Sequence, residues 1–317
     1  MNRTRYNSFS KALAMNVLLL LLLSTIVSPA FAEPVRVAVL KSHNTEPYQF
    51  TQNSFQKHLR KQKLDVTYTE FLVNENENNS LQIIDQLKQW NPDLIFSLGN
   101  KATNLSTKNI RNIPIVTSLV FASDYSSFMG VAGVRLGYSV DTELKMLQQL
   151  LPEHKNVGVL YSSDENSTKI LEAKQLAGKY GLKITAIKVN SPKEIPKALE
   201  SVMNNSDVLW GIPDHTVLSA STSKEVLLAS FRNKIPFIGL SSNWVKAGAL
   251  YSLDWNYSEI GHQAAEEAAA ILHGRSDHTA KLSYPNSISY SLNLKTAKRM
   301  KITFAKENIS KAKNVYK

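Results

Sequence analysis

Two carboxylates and a hydroxyl-rich loop carry most of the chemistry this chain can offer. Asp214 follows the apolar run DVLWGIP and is itself followed by His215, and Asp254 closes the run GALYSLD. Between them KIPFIGL leads into LSSNW, which contains Trp244. A further cluster, SSDENST, sets Ser162, Ser163, Asn166, Ser167 and Thr168 directly after NVGVLY, which ends in Tyr161. Hydroxyls and amides donate to an anionic oxygen, and the start of a helix adds backbone N–H groups and the positive end of its dipole. A carboxylate pairs with an ammonium group. These are the groups that would hold a small zwitterion by both ends. Tyr48, Tyr161, Trp244 and Trp255 are aromatic candidates to stack on a flat ligand or a cation. Each residue also has an internal reading. Ser163 or Asp164 would cap a helix, Asp214 would cap one beginning at Thr216, Asp254 would be a hinge or cap residue, and the aromatic rings would fill ordinary core.

The elements that must position these groups are legible from periodicity. VRVAVL (Val35–Leu40), Leu64–Phe71, DLIFSL and PIVTSLV read as strands, with helices between them; Phe55 and Leu59 face inward on the first helix while Lys57, Arg60 and Lys61 face outward. Ser80 is expected to cap a helix that ends by Trp90, before Pro92. The turn after DLIFSL holds Gly99, Asn100, Lys101 and Ala102. The alternation resumes at Asn156, with a strand from Gly181 to Val189, a helix from Pro192 to Met203 and the three runs around Asp214, Trp244 and Asp254. Ser258–Leu272 is an alanine-rich amphipathic helix with Ile260, Ala264, Ala268 and Ile271 on one stripe, stopped by Gly274.

Strands alternating with helices mean parallel sheets with right-handed crossovers. The expected fold class is α/β, with two doubly wound parallel-sheet lobes joined by a multi-segment hinge. Candidate crossings are Val131–Ser139, Tyr251–Tyr257 and the strand Ile288–Leu292. The expected boundaries are 33–136 with 256–282 for the first lobe, and 137–255 with 283–317 for the second. In such sheets ligands bind beyond the carboxyl ends of the strands, so polar strand ends from both lobes would share one cleft.

Composition narrows the function classes. Arg3, Arg5 and Lys11 precede an apolar run from Leu13 to Val27 and then PAFA. That is the pattern of a secretory signal peptide over residues 1–32, with cleavage after Ala32 and export to the periplasm; the run is shorter than the roughly 20 residues of a membrane span. Its removal takes the formal net charge from +11 to +8. The lysines are scattered rather than clustered, which argues for a solvated basic surface and against nucleic acid. With no cysteine there is no thiolate metal site, cysteine nucleophile, disulfide or lipidated Cys anchor. GLSSN lacks the final glycine of a nucleophile elbow, GVAGVRLG lacks the dinucleotide spacing, and the seven histidines lack metal-ligand spacing. No enzyme, cofactor or metal is expected.

Several stretches resemble the substrate-binding proteins of ABC importers, in the periplasmic binding protein type I branch that includes tryptophan and other aromatic amino acid binders. They are QLLPEHKNVGVLYSSDENS, IPFIG before LSSNWVKAGAL, SLDWNYSEIGHQAAEEAAAILHG and SLNLKTAKRM. The resemblance implies a monomer that catches a small, amino-acid-like ligand between its lobes and delivers it to a membrane permease. A periplasmic sensor subunit docking on a membrane signalling protein is the alternative. It also implies that the loop with Tyr161, Ser163, Asn166 and Ser167 meets the ligand from the second lobe, and that Asp214 and Asp254 match family acids. Departures lie at Asn100 and Lys101, where a small hydroxyl residue is usual, at His215 in place of Asn, and at Asp124-Tyr125 in place of Asp-Pro.

Overall fold

The computed structural model describes residues 33–73, 77–120, 131–275 and 281–317, without the side chains of 77, 78, 163–165 and 281. The expected leader (1–32) and Asp124-Tyr125 lie outside the described residues. The first stretch runs β1 (Val35–Lys41), α1 (Glu46–Lys61), β2 (Val66–Leu72), α2 (Glu77–Trp90), β3 (Leu94–Leu98), α3 (Asn100–Asn109), β4 (Ile115–Ser118) and β5 (Val131–Val134). Then come α4 (Val140–Leu150), β6 (Asn156–Tyr161), α5 (Ser163–Leu176), β7 (Lys183–Lys188), α6 (Ile195–Met203) and β8 (Val208–Trp210). The remainder is α7 (Ser223–Asn233), β9 (Phe237–Gly239), α8 (Ser242–Ala247), β10 (Tyr251–Asp254), α9 (Tyr257–Leu272), β11 (Lys281–Ser283), β12 (Ser289–Asn293), α10 (Leu294–Met300), α11 (Lys306–Lys311) and β13 (Asn314–Tyr316).

Two sheets result, in the orders β11-β5-β4-β3-β1-β2 and β13-β12-β10-β9-β8-β6-β7. Their strands pair in parallel, except that β12 runs antiparallel to β10. Alternation along a strand sends successive side chains to opposite faces. In β1, Val37 and Val39 join one core, together with Phe55, Leu59 and the α9 stripe, while Ala38 and Leu40 join a second with Ile83, Ile84 and Leu87. The second sheet is likewise covered on both faces. Each lobe is therefore a helix-covered sheet with its own core. Burying one such Leu or Phe side chain contributes about 1.5–3 kcal/mol.

Helix α9 follows β6 to β10 of the second sheet in sequence yet packs on the first lobe, against α1. Gly261 lets the two backbones meet: a Cβ there would stand 2.2 Å from the Thr51 carbonyl oxygen.

Several local expectations need correction. Ser80 lies inside α2 rather than at its cap, since the helix starts at Glu77. Pro192–Glu194 forms a 3₁₀ turn before α6. No helix begins at Thr216; residues 215–222 are turns, and α7 starts at Ser223. Val131–Val134 and Tyr251–Asp254 are strands inside the sheets, so the chain crosses between lobes just after them. Ser283 pairs with Val134 in the first sheet, so the third crossing begins at Tyr284.

Candidate functional site

Both sheets share one topological feature. β1 lies between β2 and β3, and β6 lies between β7 and β8, so strand order reverses at β1/β3 and at β6/β8. At such a switch point the connections leave in opposite directions and open a crevice at the carboxyl ends. The crossings after β5, β10 and β11 all leave from carboxyl ends, and β12 enters beside the end of β10, where Ser289 pairs with Asp254. The carboxyl edges of the two sheets therefore adjoin across the crossings.

In the first lobe the crevice holds Ser42 and Gly99. Ser42 Oγ accepts the Ala102 amide at 3.0 Å and ties the first turn of α3 to the end of β1. Gly99, the N-cap of α3, has φ 85°, and a Cβ there would lie 2.5 Å from Tyr48 Oη and 2.7 Å from Ser42 Oγ. Glycine is required both for the left-handed turn and for the phenol resting on it. Burial, followed by neighbouring Tyr257, pushes the Tyr48 phenol up. His43 meets the Tyr48 ring edge-on at 5.5 Å. Asn100 and Lys101 are exposed on the first turn of α3. Ser118, at the end of β4, is buried, and its hydroxyl has no hydrogen-bond partner among the described residues. The residue after it, Leu119, takes φ 60°. Sequence reasoning passed over Ser42 and Ser118, although both show the sign used in the second lobe: a small hydroxyl ending an apolar strand.

In the second lobe the switch point is bound together by Asp214. Its Oδ2 accepts the Ser162 amide at 2.7 Å, the Ser162 hydroxyl at 2.9 Å and the Asn166 side-chain amide at 2.9 Å. Its Oδ1 accepts the amides of Thr216 at 3.0 Å and Val217 at 2.9 Å. Asn166 also donates to the Pro213 carbonyl at 3.0 Å. Burial alone would raise the carboxyl, but the donors from Ser162, Val217 and Asn166 outweigh it and hold the group below the usual range. With five donors on two oxygens, this carboxylate fixes the β6 and β8 loops to each other and is not an open partner for an ammonium group. The expected helix cap at Asp214 is in fact a turn cap. The N-cap of α5 is Ser162, not Ser163 or Asp164, and its hydroxyl turns to Asp214 instead of to the helix. Tyr161 is half-buried against the lobe core, whereas Ser167 and His215 are exposed beside the loop. The side chain of Ser163 lies outside the described residues.

Asp254 sits at neither wall. Its carboxylate accepts hydroxyls from Ser252 at 2.8 Å and from Ser291, which in turn accepts from Asn314 at 2.9 Å. Its main-chain carbonyl accepts the Tyr138 hydroxyl at 2.7 Å. Asp254 thus ties β10 to β12 and to the first crossing. Trp244 lies against Phe237, ring centroids 5.6 Å apart, and so close over Gly239 that a Cβ there would be 2.5 Å from its own, and it stays partly exposed. Trp255 is partly buried against the first-lobe core. A separate groove of about 460 Å³ lies between α6 and α7, lined by Pro196, Met203, Leu228 and Arg232, away from the strand ends.

Comparison with known proteins agrees with this architecture. A family model described as ABC transporter substrate binding protein matches residues 36–316. A curated tyrosine-binding protein of Clostridioides difficile (strain R20291) is 25% identical over 194 residues, 58% of this chain and 56% of that protein, so the match spans little more than half of its length. The ligand-free, open structure of CD0873, a substrate binding protein with adhesive properties from Clostridium difficile, superposes with a TM-score of 0.74 at 22% identity, covering 89% of this chain and 99% of that one. An ABC domain in complex with L-Trp from Streptococcus pneumonia gives a TM-score of 0.61 at 20% identity, with the same 89% and 99% coverage.

Proposed function

The chain belongs to the ABC transporter substrate-binding protein family, and from that premise we propose that it captures a small, aromatic amino-acid-like ligand between its lobes and delivers it to the permease of an ABC importer. One observation carries the reading. Both sheets have their switch point at the cleft edge, and each is finished with polar groups: Ser42, Gly99 and the start of α3 on one side, Ser162, Asn166 and the start of α5 on the other.

The two helix starts, with exposed Asn100, Lys101, Ser167 and His215, make the cleft rich in donors. Asp214 already has its full set of donors. The polar walls therefore suit the carboxylate end of the ligand, and Tyr48 and Tyr161 supply ring surface for an aromatic side chain. Ligand contacts to both walls exist together only when the lobes approach, so binding shifts the open and closed populations. The pattern of residues 1–32 supports work in an exported compartment, and among the described residues no helix is long and apolar enough to cross a membrane.

The test is a thermal-shift screen of aromatic and other amino acids on the purified protein. A cognate ligand at a hundredfold excess over Kd stabilises by about 2.7 kcal/mol, several degrees in Tm. No shift with any member of the set would overturn the proposed ligand class. Capture of the loaded protein by a membrane kinase or cyclase, in place of a permease, would overturn the proposed delivery step.

A further inference from the structure

Tyr138 lies on the first crossing with its ring buried, 6% exposed. Its hydroxyl has the Asp254 carbonyl of the second crossing at 2.7 Å and the Ser287 carbonyl of the third at 3.2 Å, and the Ser289 amide points to it at 3.4 Å. One phenol thus touches the main chain of both other crossings. Burial raises that phenol to about 12, so it remains a proton donor at neutral pH.

The ends of each crossing are anchored. On the first, the Arg135 and Leu136 amides bond to Ser283 at 3.0 Å and Val120 at 2.7 Å, and Ser139 caps α4 through the Thr142 amide at 3.1 Å. On the second, Asp254 is held by Ser252 and Ser291, and Asn256 caps α9 through the Glu259 amide at 3.2 Å. On the third, Gln263 of α9 binds the Ser283 hydroxyl, the Tyr284 carbonyl and the Asn286 amide at 2.9, 3.0 and 3.0 Å, and Ser289 is already paired in the second sheet. Between these anchors lie Gly137 with Tyr138 and Ser287 with Ile288, whereas on the second crossing Trp255 packs on the first-lobe core and its carbonyl accepts Lys313 Nζ at 3.5 Å. Among the described residues, and apart from its own chain neighbours, no atom lies within 4 Å of the place a Gly137 Cβ would take.

We infer that the Tyr138 hydroxyl is the pivot about which the lobes rotate, and that bending is confined to Gly137 and Ser287–Ile288, with the second crossing held at Asp254 and Trp255. This rests on the proposed function in taking lobe closure as the working motion. One O–H proton serves one carbonyl at a time. With two acceptors in reach, the O–H can turn from the Asp254 carbonyl to the Ser287 carbonyl as the crossings shift, so the three crossings stay coupled throughout. Tyr138 is a positioning residue: it sets how the two walls meet without contacting the ligand.

The test needs no ligand. The chain has no cysteine, so Phe50→Cys on α1 and Leu171→Cys on α5, exposed at 52% and 59%, accept one spin label in each lobe. Pulsed EPR on this pair is expected to give an interlobe distance distribution at least twofold wider in Tyr138→Phe than in the parent. Tyr290→Phe is the control. It loses a buried hydroxyl bond of the same kind, 2.7 Å to the Asn308 carbonyl, but inside one lobe, and should lower stability without widening the distribution. An unchanged distribution in Tyr138→Phe, or equal widening in Tyr290→Phe, overturns the inference. Hydrogen exchange on the unsubstituted protein gives a second reading. Amides at 137–138 and 287–288 should exchange at least tenfold faster than those of β5, β10 and β12, and uniform protection would overturn the assignment. A protein that binds no screened amino acid would sink the proposed function and leave both of these readings intact.

Discussion

Five hydrogen bonds converge on the Asp214 carboxylate, from two loops that the chain brings together over about fifty residues of separation. Because these donors favour the ionised form, the folded carboxyl titrates below its ordinary value of 3.8. The stability it contributes is complete above the unfolded carboxyl's pKa, near 4, and is lost as pH falls through the lower folded value. Asp214→Asn replaces one acceptor oxygen by an amide that faces donors. It is expected to cost about 1–3 kcal/mol at pH 7. Urea unfolding of both proteins at pH 7 and near pH 3 should show the difference shrinking in acid; a constant difference would mean that the charge of Asp214 is not what the loops depend on.

At the level of elements, the first lobe depends on a helix pair whose members are distant in sequence. Ser54 of α1 donates to the Ser258 carbonyl of α9 at 2.6 Å, and His58 stacks on His262 at 3.8 Å. Phe55 of α1 stacks on Phe96 of β3 at 3.8 Å beneath them. Gly261 sets the α9 backbone against the Thr51 carbonyl, which a Cβ there would meet at 2.2 Å. A methyl group there must displace the Thr51 carbonyl, so Gly261→Ala should destabilise by about 1–3 kcal/mol through overpacking. Chemical denaturation measures this directly, and a neutral result would show that the two helices separate more easily than their contact implies.

For the whole molecule, two lobes of equivalent strand order joined at their carboxyl edges predict a change of shape on binding. A fully compact chain of the length left after residue 32 has a radius of gyration of about 19 Å. The ligand-free protein should exceed this value and fall toward it when small-angle scattering is repeated with a ligand found by the thermal screen. Unchanged scattering in the presence of a stabilising ligand would place that ligand on one lobe and not between the two.

Local periodicity and composition determined a good deal by themselves. Strand alternation in VRVAVL, the Ile260–Ala264–Ala268–Ile271 stripe and the recurrence of strand, loop and helix depend on neighbours within a few residues, which any reader of the chain can see. They suffice for the α/β class and for polar residues at strand ends, while the family resemblance rests on particular motifs such as SLDWNYSEIGHQAAEEAAAILHG and SLNLKTAKRM. What a side chain does there was decided by partners remote in sequence. Asp214 and Asp254 look alike as acids after apolar runs, yet one is saturated by Ser162, Asn166 and two turn amides while the other is held by Ser252 and Ser291 at the crossings. Trp244 packs over Gly239, where only a residue without a side chain leaves room for it. Tyr138 carries no local signal at all, because its two carbonyl acceptors lie more than a hundred residues away and meet it only once both sheets have formed.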